Sequence, residues 1–355
     1  MKRFRLLSIL IVLVCLSGLV AAQRGPAPTA AAPAGSATAK AVTAANAFIG
    51  MLDAAERAKS VFPFGSPQKT NWSNLPSGVY QRNSLRLGDL TPAKRAAAMA
   101  LVAAVTSADG YRKINDIMNG DEVLRGSGGG QTGGRAGGGG RGGGIAFGLA
   151  EYYIAVLGTP SSSTPWMIQF GGHHLAINVT IVGLNNVMTP SLPAAQPAKY
   201  TLNGQTIRPL GKENDKGFAL IGALNAEQRK QAILNYRVSD LVLGPGTDGK
   251  TIQPEGILAT ALNPNQQAML LDLAHEWVGI LNDEGSADRM AEIRSNLSRT
   301  YFAWSGATEN GGLAYFRIQG PTVLIEYAPQ QGDLDHIHTI YRDPTNDYGA
   351  RLVAP

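Results

Sequence analysis

The sequence predicts an α+β fold in which helices pack on a mainly antiparallel sheet. Helical patterns fill the N-terminal part of the chain, strand patterns follow in the middle, and strands return at the C-terminus after a second group of helices. Such separate runs of helices and strands are typical of this fold class. A chain of 355 residues can also close a large core without disulfides. We expect a single domain over residues 41–355.

The first 22 residues predict a secretory signal peptide. Three basic residues at the start precede an apolar run over residues 6–20, and small residues follow it. The run is too short and too early to predict a transmembrane anchor, and no later segment is apolar for long enough to span a bilayer. We therefore expect a periplasmic or secreted protein with no integral membrane segment after signal cleavage.

The N-terminal third then reads as a linker followed by helices. Residues 23–40 are rich in Ala and Pro, which predicts a flexible linker. Apolar spacing predicts helices over 41–61, from Pro92 to Val105 with Thr91 as the N-cap, and around 111–117. Residues 126–144 contain 13 glycines in 19 positions and lack the Gly-Lys-Ser/Thr of a phosphate-binding loop. This tract predicts a disordered insertion.

The remainder alternates between strand and helix patterns. Residues 145–157 and 166–182 are rich in β-branched and aromatic residues and predict strands. The pair Asn203-Gly204 predicts the turn of a hairpin over 200–207. Helices are predicted over 226–236, 264–281 and 286–302, and strands over 313–319, over 322–327 and around His336.

Charge and cysteine content restrict the function classes. The net charge is +5, and three of the positive charges lie in the signal peptide, so about +2 is left on the mature chain. Basic residues are interspersed with acidic ones and form no aromatic-interleaved face, so nucleic-acid binding is not expected. The only cysteine, Cys15, lies in the signal peptide. Any metal is therefore held by nitrogen and oxygen ligands.

Four of the five histidines form two close pairs, His173-His174 and His336-x-His338, and each pair lies in a predicted strand. Alternation along a strand places His336 and His338 on the same face. Adjacent His173 and His174 would point to opposite faces, so one of them is expected to join a shared site. The preceding glycine pair suggests a bulge or a close backbone approach, which leaves the choice between them open.

Two carboxylates accompany these histidines. Glu326 lies in an otherwise apolar predicted strand, where burial is costly without a cation, a metal or several donors. Alternatively, Arg317 or Arg342 would neutralise Glu326 in an ion pair with a purely structural role. Asp343 follows the second histidine pair. We predict that Glu326 or Asp343 supplies an oxygen ligand, orients a ligand or acts as a general base.

These residues predict one divalent transition-metal ion bound by His336, His338 and either His173 or His174. Zinc is favoured, while iron, copper and manganese stay open. An open coordination position would activate water for hydrolysis of an unknown small-molecule or polymer substrate, which is the favoured reaction. Two histidines and a carboxylate around iron would fit an oxidation as well. The alternatives are a non-catalytic periplasmic protein that binds or handles metal, and a module whose histidines only form hydrogen bonds. His275-Glu276 lacks the second histidine that a zinc-protease helix requires at position 279.

Three motifs resemble a known exported family. They are Gly-Gly-His-His-Leu-Ala-Ile-Asn at the end of 166–178, Gly-Pro-Thr-Val-Leu-Ile-Glu at 320–326, and His336-Ile-His338 followed by Arg-Asp-Pro-Thr-Asn-Asp-Tyr-Gly at 342–349. Through them the chain resembles the family catalogued as domain of unknown function 3500, over about residues 41–352. The resemblance implies no settled reaction, and it marks the glycine-rich tract as an insertion.

Overall fold

A computed structural model describes residues 30–128 and 144–353 of the chain. The predicted signal peptide, the first part of the predicted linker and most of the glycine-rich insertion lie outside the described residues. Within them, no helix is both long enough and apolar enough to cross a membrane.

The described residues confirm the predicted α+β class. The helices are α1 (Ala37–Met51), α2 (Ala54–Ser60), α3 (Pro92–Val105), α4 (Ala108–Gly126), α5 (Gly211–Ala223), α6 (Ala226–Ala232), α7 (Pro264–Val278), α8 (Asp283–Ser295) and α9 (Ala350–Val353). The strands are β1 (Val61–Phe62), β2 (Leu85–Arg86), β3 (Tyr153–Leu157), β4 (Trp166–Gly172), β5 (Leu175–Val182), β6 (Asn185–Val187), β7 (Leu192–Pro193), β8 (Tyr200–Leu202), β9 (Gln205–Ile207), β10 (Ile257–Leu258), β11 (Tyr301–Gly306), β12 (Ala314–Gly320), β13 (Val323–Pro329) and β14 (Ile337–Arg342).

These strands form two main sheets and one isolated hairpin. The first sheet has the order β1-β3-β4-β5-β6, with β2 also paired to β3 and β7 to β5. The second has the order β10-β11-β12-β13-β14. Pairing within both sheets is antiparallel except between β1 and β3. The hairpin β8-β9 has positive φ at Asn203 and Gly204, which confirms the predicted turn.

One short segment, residues 191–195, connects the two sheets. On one side it contains β7, which pairs with the start of β5. On the other side it forms bridges from Ser191 to Tyr341 and from Ala195 to Ile337, at the two ends of β14. The start of β5 and the start of β14 are therefore held on opposite sides of the same extended segment.

Each sheet carries its own helices. Helices α1 and α3 pack together over the first sheet, and their apolar residues share a core with β3, β4 and β5. Helices α5 and α7 cover one face of the second sheet, where Phe218 and Trp277 contact Trp304 and Phe316. A third apolar cluster includes Ala176 of β5 and Ile340 of β14, which ties the two sheets together.

The boundaries differ from the prediction in several places. Helix α1 begins at Ala37, inside the predicted linker, because the Ser36 side chain caps it by accepting a hydrogen bond from Ala39 N. The predicted helix 286–302 ends at Ser295, because Phe302 and Trp304 are buried in β11 instead. Residues 145–152 are not a strand, and β3 starts at Tyr153. Helix α5 was not predicted, since it opens without a capping side chain.

Candidate metal centre

Three histidine rings from two distant parts of the chain meet where the sheets join. His174 Nε2 lies 2.8 Å from His336 Nε2, and His336 Nε2 lies 3.1 Å from His338 Nε2. One ring nitrogen from each histidine lies within 4.8 Å of the others. We call His174, His336 and His338 the histidine trio. Among the described residues, 30–128 and 144–353, the trio forms the group of His, Cys, Asp or Glu side chains whose spacing could hold a metal ion.

His174 reaches the trio from a turn and not from a strand, so the expected strand position of the first pair was wrong. Gly172 of β4 pairs with Leu175 of β5, which leaves His173 and His174 as a two-residue hairpin turn. His174 has φ +59°, a left-handed conformation that is uncommon for residues other than glycine. Its backbone N–H donates to Asn74 O at 3.0 Å, and its carbonyl accepts from Ala194 N at 2.8 Å.

The glycines before this turn explain the close approach that the sequence suggested. A Cβ on Gly172 would lie 2.8 Å from Glu151 O, and a Cβ on Gly171 would lie 2.3 Å from Leu175 O. Any larger residue at these positions would displace the hairpin that carries His174.

The second histidine pair behaves as alternation predicted. His336 lies directly before β14 and His338 within it, and their rings are 4.8 Å apart between centroids. His338 is buried, whereas His336 is partly exposed and faces the surface. The trio is therefore open to solvent on the side of His336.

Asp240 fixes the protonation of one ring of the trio. His338 Nδ1 lies 2.9 Å from Asp240 Oδ1, so this nitrogen carries the proton that the carboxylate accepts. The Nε2 lone pair of His338 then points towards the other two rings. Burial by itself raises the pKa of Asp240, but the hydrogen bond and the charge of His338 lower it below its usual value.

Asp240 belongs to an irregular loop, residues 234–256, that two buried charged side chains hold against the second sheet. Glu326 of β13 is fully buried and accepts from Val242 N at 2.9 Å and from Leu243 N at 2.8 Å. Arg342 of β14 donates to Leu243 O at 2.9 Å and to Gly244 O at 3.0 Å. These contacts begin two residues after Asp240 and hold the backbone that carries it.

The structure does not bring Glu326 into the histidine trio. In addition to the loop amides, its carboxylate accepts from Tyr315 Oη at 2.6 Å. Neither arginine considered as its partner forms an ion pair with it, because Arg317 pairs with Glu255 and Arg342 with Asp248. Three hydrogen-bond donors therefore stabilise the buried charge, and the predicted catalytic role of Glu326 stays a prediction.

Asp343 also lies apart from the trio. Its side chain accepts from Thr345 N at 3.0 Å and from Thr345 Oγ1 at 2.8 Å, and it pairs with Arg351 Nη2 at 3.1 Å. Burial raises the pKa of Asp343, although the Thr345 hydrogen bonds and Arg351 oppose this. The carboxylate serves the turn after β14, and its predicted catalytic role is untested.

His173, the other histidine of the hairpin turn, has a partner of its own. His173 Nδ1 lies 2.6 Å from Asp121 Oδ1 of α4, and both side chains are buried. The same aspartate accepts from Gly148 N at 2.7 Å through its other oxygen. The His173 ring stacks on that of His174 at 3.6 Å between centroids. His173 therefore lies behind the trio and contacts it through ring stacking.

Burial keeps two rings of the trio, those of His174 and His336, uncharged near neutral pH. Burial, followed by the neighbouring histidines, lowers the pKa of His174 well below its usual value. Burial and His338 likewise lower the pKa of His336 to about 4. Near neutral pH these rings are neutral imidazoles, the form that binds metals.

One ring nitrogen of the trio has no partner. His174 Nδ1 is buried and makes no hydrogen bond to any of the described residues. In either neutral tautomer a nitrogen of this ring stays unsatisfied, which is unusual for a buried polar group. Hydrogen bonding alone therefore does not account for the position of His174.

His275 lies at a separate place. It is on α7 and lines a cavity of about 230 Å³ together with Lys113, Arg208 and Lys212. A Cβ on Gly279 would lie 2.7 Å from His275 Cε1, so the residue that excludes a zinc-protease motif also makes room for this ring.

The sequence interpretation missed Asp240, Asp121 and Asn74. Asp240 is separated from His338 by almost a hundred residues and lies in a loop without periodicity. Asp121 lies within helix α4, where an acidic residue is usually solvated. Asn74 places its side-chain nitrogen 3.3 Å from His338 Nε2. None of the three has a local sequence signal that would have identified it.

The comparisons with known proteins bear on this centre. A model of the family described as protein of unknown function DUF3500 matches residues 34–350. The chain belongs to the DUF3500 family. This confirms the resemblance drawn from the motifs, and the histidine trio and Asp240 all lie within the matched residues of this DUF3500 protein. Neither the comparison with curated proteins nor that with solved structures finds a match.

Proposed function

We propose that this DUF3500 protein is an exported metal-binding protein in which the histidine trio holds one divalent transition-metal ion, and that the ion activates water for hydrolysis. The observation that carries the proposal is the convergence of three Nε2 atoms, one from each histidine of the trio. All-nitrogen ligands favour zinc, copper or iron over magnesium and calcium, which prefer oxygen. Zinc is the ion we propose.

The spacing of the nitrogens supports a small tetrahedral ion. Two nitrogens bound to zinc at about 2.1 Å and at a tetrahedral angle lie roughly 3.4 Å apart. The observed distances of 2.8 Å and 3.1 Å are shorter by a few tenths of an ångström. All three nitrogens lie within 4.8 Å of one another, and we expect rotations of the rings to bring them to this spacing around the ion.

The surroundings of the trio resemble those of known metal-binding histidines. A ligating histidine usually donates its second ring N–H to a carboxylate or a carbonyl group, which fixes the tautomer and orients the ring. Asp240 stands in this relation to His338. With three nitrogen ligands, one coordination position is left for water, and the partly exposed side of His336 gives access to it.

Hydrolysis would follow from the bound water. Zinc with three protein ligands lowers the pKa of its water to about 7, which supplies hydroxide near neutral pH. His173, with its Asp121 partner, and Asp240 are the ionisable groups in direct contact with the trio. Of these groups, Asp240 is the carboxylate that contacts a proposed ligand, His338.

A second candidate is a metal-handling protein without catalysis. The contacts of Glu326 and Asp343 favour it, because both carboxylates predicted as general bases are bonded elsewhere. Asp240 in turn is bonded to His338 Nδ1. In this alternative the ion is bound and released, and no free carboxylate is required beside it.

Turnover that depends on zinc distinguishes the two candidates. We would assay p-nitrophenyl acetate, p-nitrophenyl phosphate and bis-p-nitrophenyl phosphate with zinc-loaded protein, chelator-treated protein and the His338→Ala variant. Hydrolysis that follows zinc occupancy and disappears in the variant is the expected result. Full zinc occupancy with no turnover of any of the three esters would favour the second candidate.

A further inference from the structure

A cleft of about 430 Å³ lies between the loop segment 237–239 and the ends of β11, β12 and β13. Its size falls in the range of small-molecule sites, roughly 300–1,000 Å³. The residues that define its walls are Arg237, Val238, Ser239, Leu313, Tyr315 and Pro329.

Two contacts place this cleft next to the proposed metal centre. Ser239 immediately precedes Asp240, which bonds to His338. Gln330, which lies between the lining residues Pro329 and Gln331, donates its backbone N–H to His336 O at 2.8 Å. Neighbouring strands are about 4.8 Å apart, so this wall lies one strand spacing from the ligating strand.

Gln331 and Tyr315, which also line the cleft, connect it to the loop 234–256 and to β13. Gln331 follows β13 and donates its backbone N–H to Ser239 O at 2.8 Å, which joins the two sides of the cleft. Gln331 and Gly332 both have positive φ, so the chain turns sharply here before it reaches His336. Tyr315 contributes to the cleft from β12 and bonds to Glu326, the anchor of the 234–256 loop.

The described residues that line the cleft combine apolar side chains with a single positive charge. Val238, Leu313, Ala314 and Pro329 give it apolar surface, and Leu313 is 41 % exposed despite its size. Arg237 is the one charged residue among the described residues that line it, and no acidic side chain faces it there. In contrast, the cavity beside His275 mixes basic residues with Asp109, Asp116 and Glu276. The cleft therefore offers an uncompensated positive charge beside an apolar wall.

We propose that this cleft binds a small molecule with an apolar chain or ring and a carboxylate, and that Arg237 binds the carboxylate. A guanidinium matches a carboxylate through two parallel hydrogen bonds, and apolar burial supplies the rest of the affinity. That this molecule is a substrate rests on the proposed function, since the trio lies beside the cleft. The binding chemistry itself is independent of metal.

Calorimetric titration with three ligands of the same chain length tests the proposal. Octanoate carries the expected charge, octan-1-ol is neutral and octylammonium is positive. Chelator-treated protein is used first, so that a carboxylate cannot bind through the metal. We expect saturable binding of one octanoate per chain, with at least tenfold weaker binding of the other two.

Three variants locate that binding. Arg237→Gln should weaken octanoate binding at least tenfold, and Leu313→Asp should abolish it, because it adds a repelling charge to the apolar wall. Arg294→Gln on α8 removes an exposed arginine elsewhere and should change nothing. No saturable octanoate binding, equal binding of octan-1-ol, or an unchanged Arg237→Gln variant would each overturn the proposal.

The metal content of the same preparations separates this proposal from the function proposed above. Octanoate binding by a protein that takes up no zinc would retain the cleft and remove the metal centre. Zinc binding without octanoate binding would do the reverse. Octanoate binding only after zinc loading, with no effect of Arg237→Gln, would assign the carboxylate to the ion and overturn the role of the cleft.

Discussion

The two histidine pairs look alike in the sequence, but they are used differently in the fold. His336 and His338 both join the trio, whereas His173 and His174 divide, and only His174 takes part. The reason is the local backbone. Strand alternation governs the second pair, while the first forms a hairpin turn in which His174 has a left-handed conformation.

Each pair also has one aspartate partner, and the two partners differ in setting. Asp121 lies on helix α4 with only 2 % of its side chain exposed, and it holds His173, which is outside the trio. Asp240 lies on a loop with 37 % exposed, and it holds His338, which is inside the trio. We infer that Asp121 mainly stabilises the fold, whereas Asp240 orients His338, a ligand of the proposed metal centre.

The largest expected effect concerns Glu326, the anchor of the loop that carries Asp240. Glu326→Ala leaves the backbone N–H groups of Val242 and Leu243 and the buried Tyr315 hydroxyl without their acceptor. The free energy of unfolding should fall by about 3 kcal/mol or more. Urea denaturation measures it, and Lys230→Ala on the exposed face of α6 is the control. A loss below about 1 kcal/mol would show that Glu326 does not anchor the loop.

Asp240→Asn should affect the metal more than the fold. The amide still accepts a hydrogen bond from His338, but it lacks the negative charge that makes the ring a better ligand. Loss of such a partner typically costs ten- to a hundredfold in metal affinity. Zinc affinity measured by competition with a chromogenic chelator tests this. Unchanged affinity would mean that Asp240 does not act on the ligand.

Asp121→Asn should affect the stability of the fold more than the affinity for zinc. Its carboxylate accepts from His173 Nδ1 and Gly148 N, and an amide can accept only through one oxygen. We expect a loss of about 1–3 kcal/mol in the free energy of unfolding. Zinc affinity should change less than in Asp240→Asn. A larger change in affinity than in that variant would reverse the roles assigned to the two aspartates.

The smallest expected effect tests the turn itself. His174→Ala and His174→Gly both remove the imidazole of the proposed ligand, but glycine adopts φ +59° without the clash of a Cβ atom. The glycine variant should therefore be more stable than the alanine variant by about 1 kcal/mol. Equal unfolding midpoints in urea would contradict a left-handed backbone at this position.

The sequence was sufficient where the pattern is local. The spacing of His336 and His338 predicted a shared face, the Thr91-Pro92 pair predicted the start of α3, and the Asn203-Gly204 pair predicted a hairpin. The sequence was insufficient where pairing between distant parts of the chain determines the structure. The segment 191–195 joins two sheets through bridges that no periodicity encodes.

The same limit applies to the site. His174 could not be chosen over His173, because a two-residue turn and a continued strand have the same apolar pattern around the glycines. Glu326 is the buried acid that the sequence predicted, but two of its three hydrogen-bond donors come from a loop about 80 residues earlier in the chain. Burial was predictable from the strand, and the partner was not.

Metal content is the most direct test of the proposed zinc centre at the histidine trio. Elemental analysis after zinc reconstitution and dialysis would compare the untagged protein with His174→Ala, His173→Ala and His275→Ala, with circular dichroism to verify folding. We predict about one zinc per chain in the unmodified protein and in the His173 and His275 variants, and almost none in His174→Ala. No zinc in the unmodified protein, or equal zinc in folded His174→Ala, would contradict a metal centre at the trio.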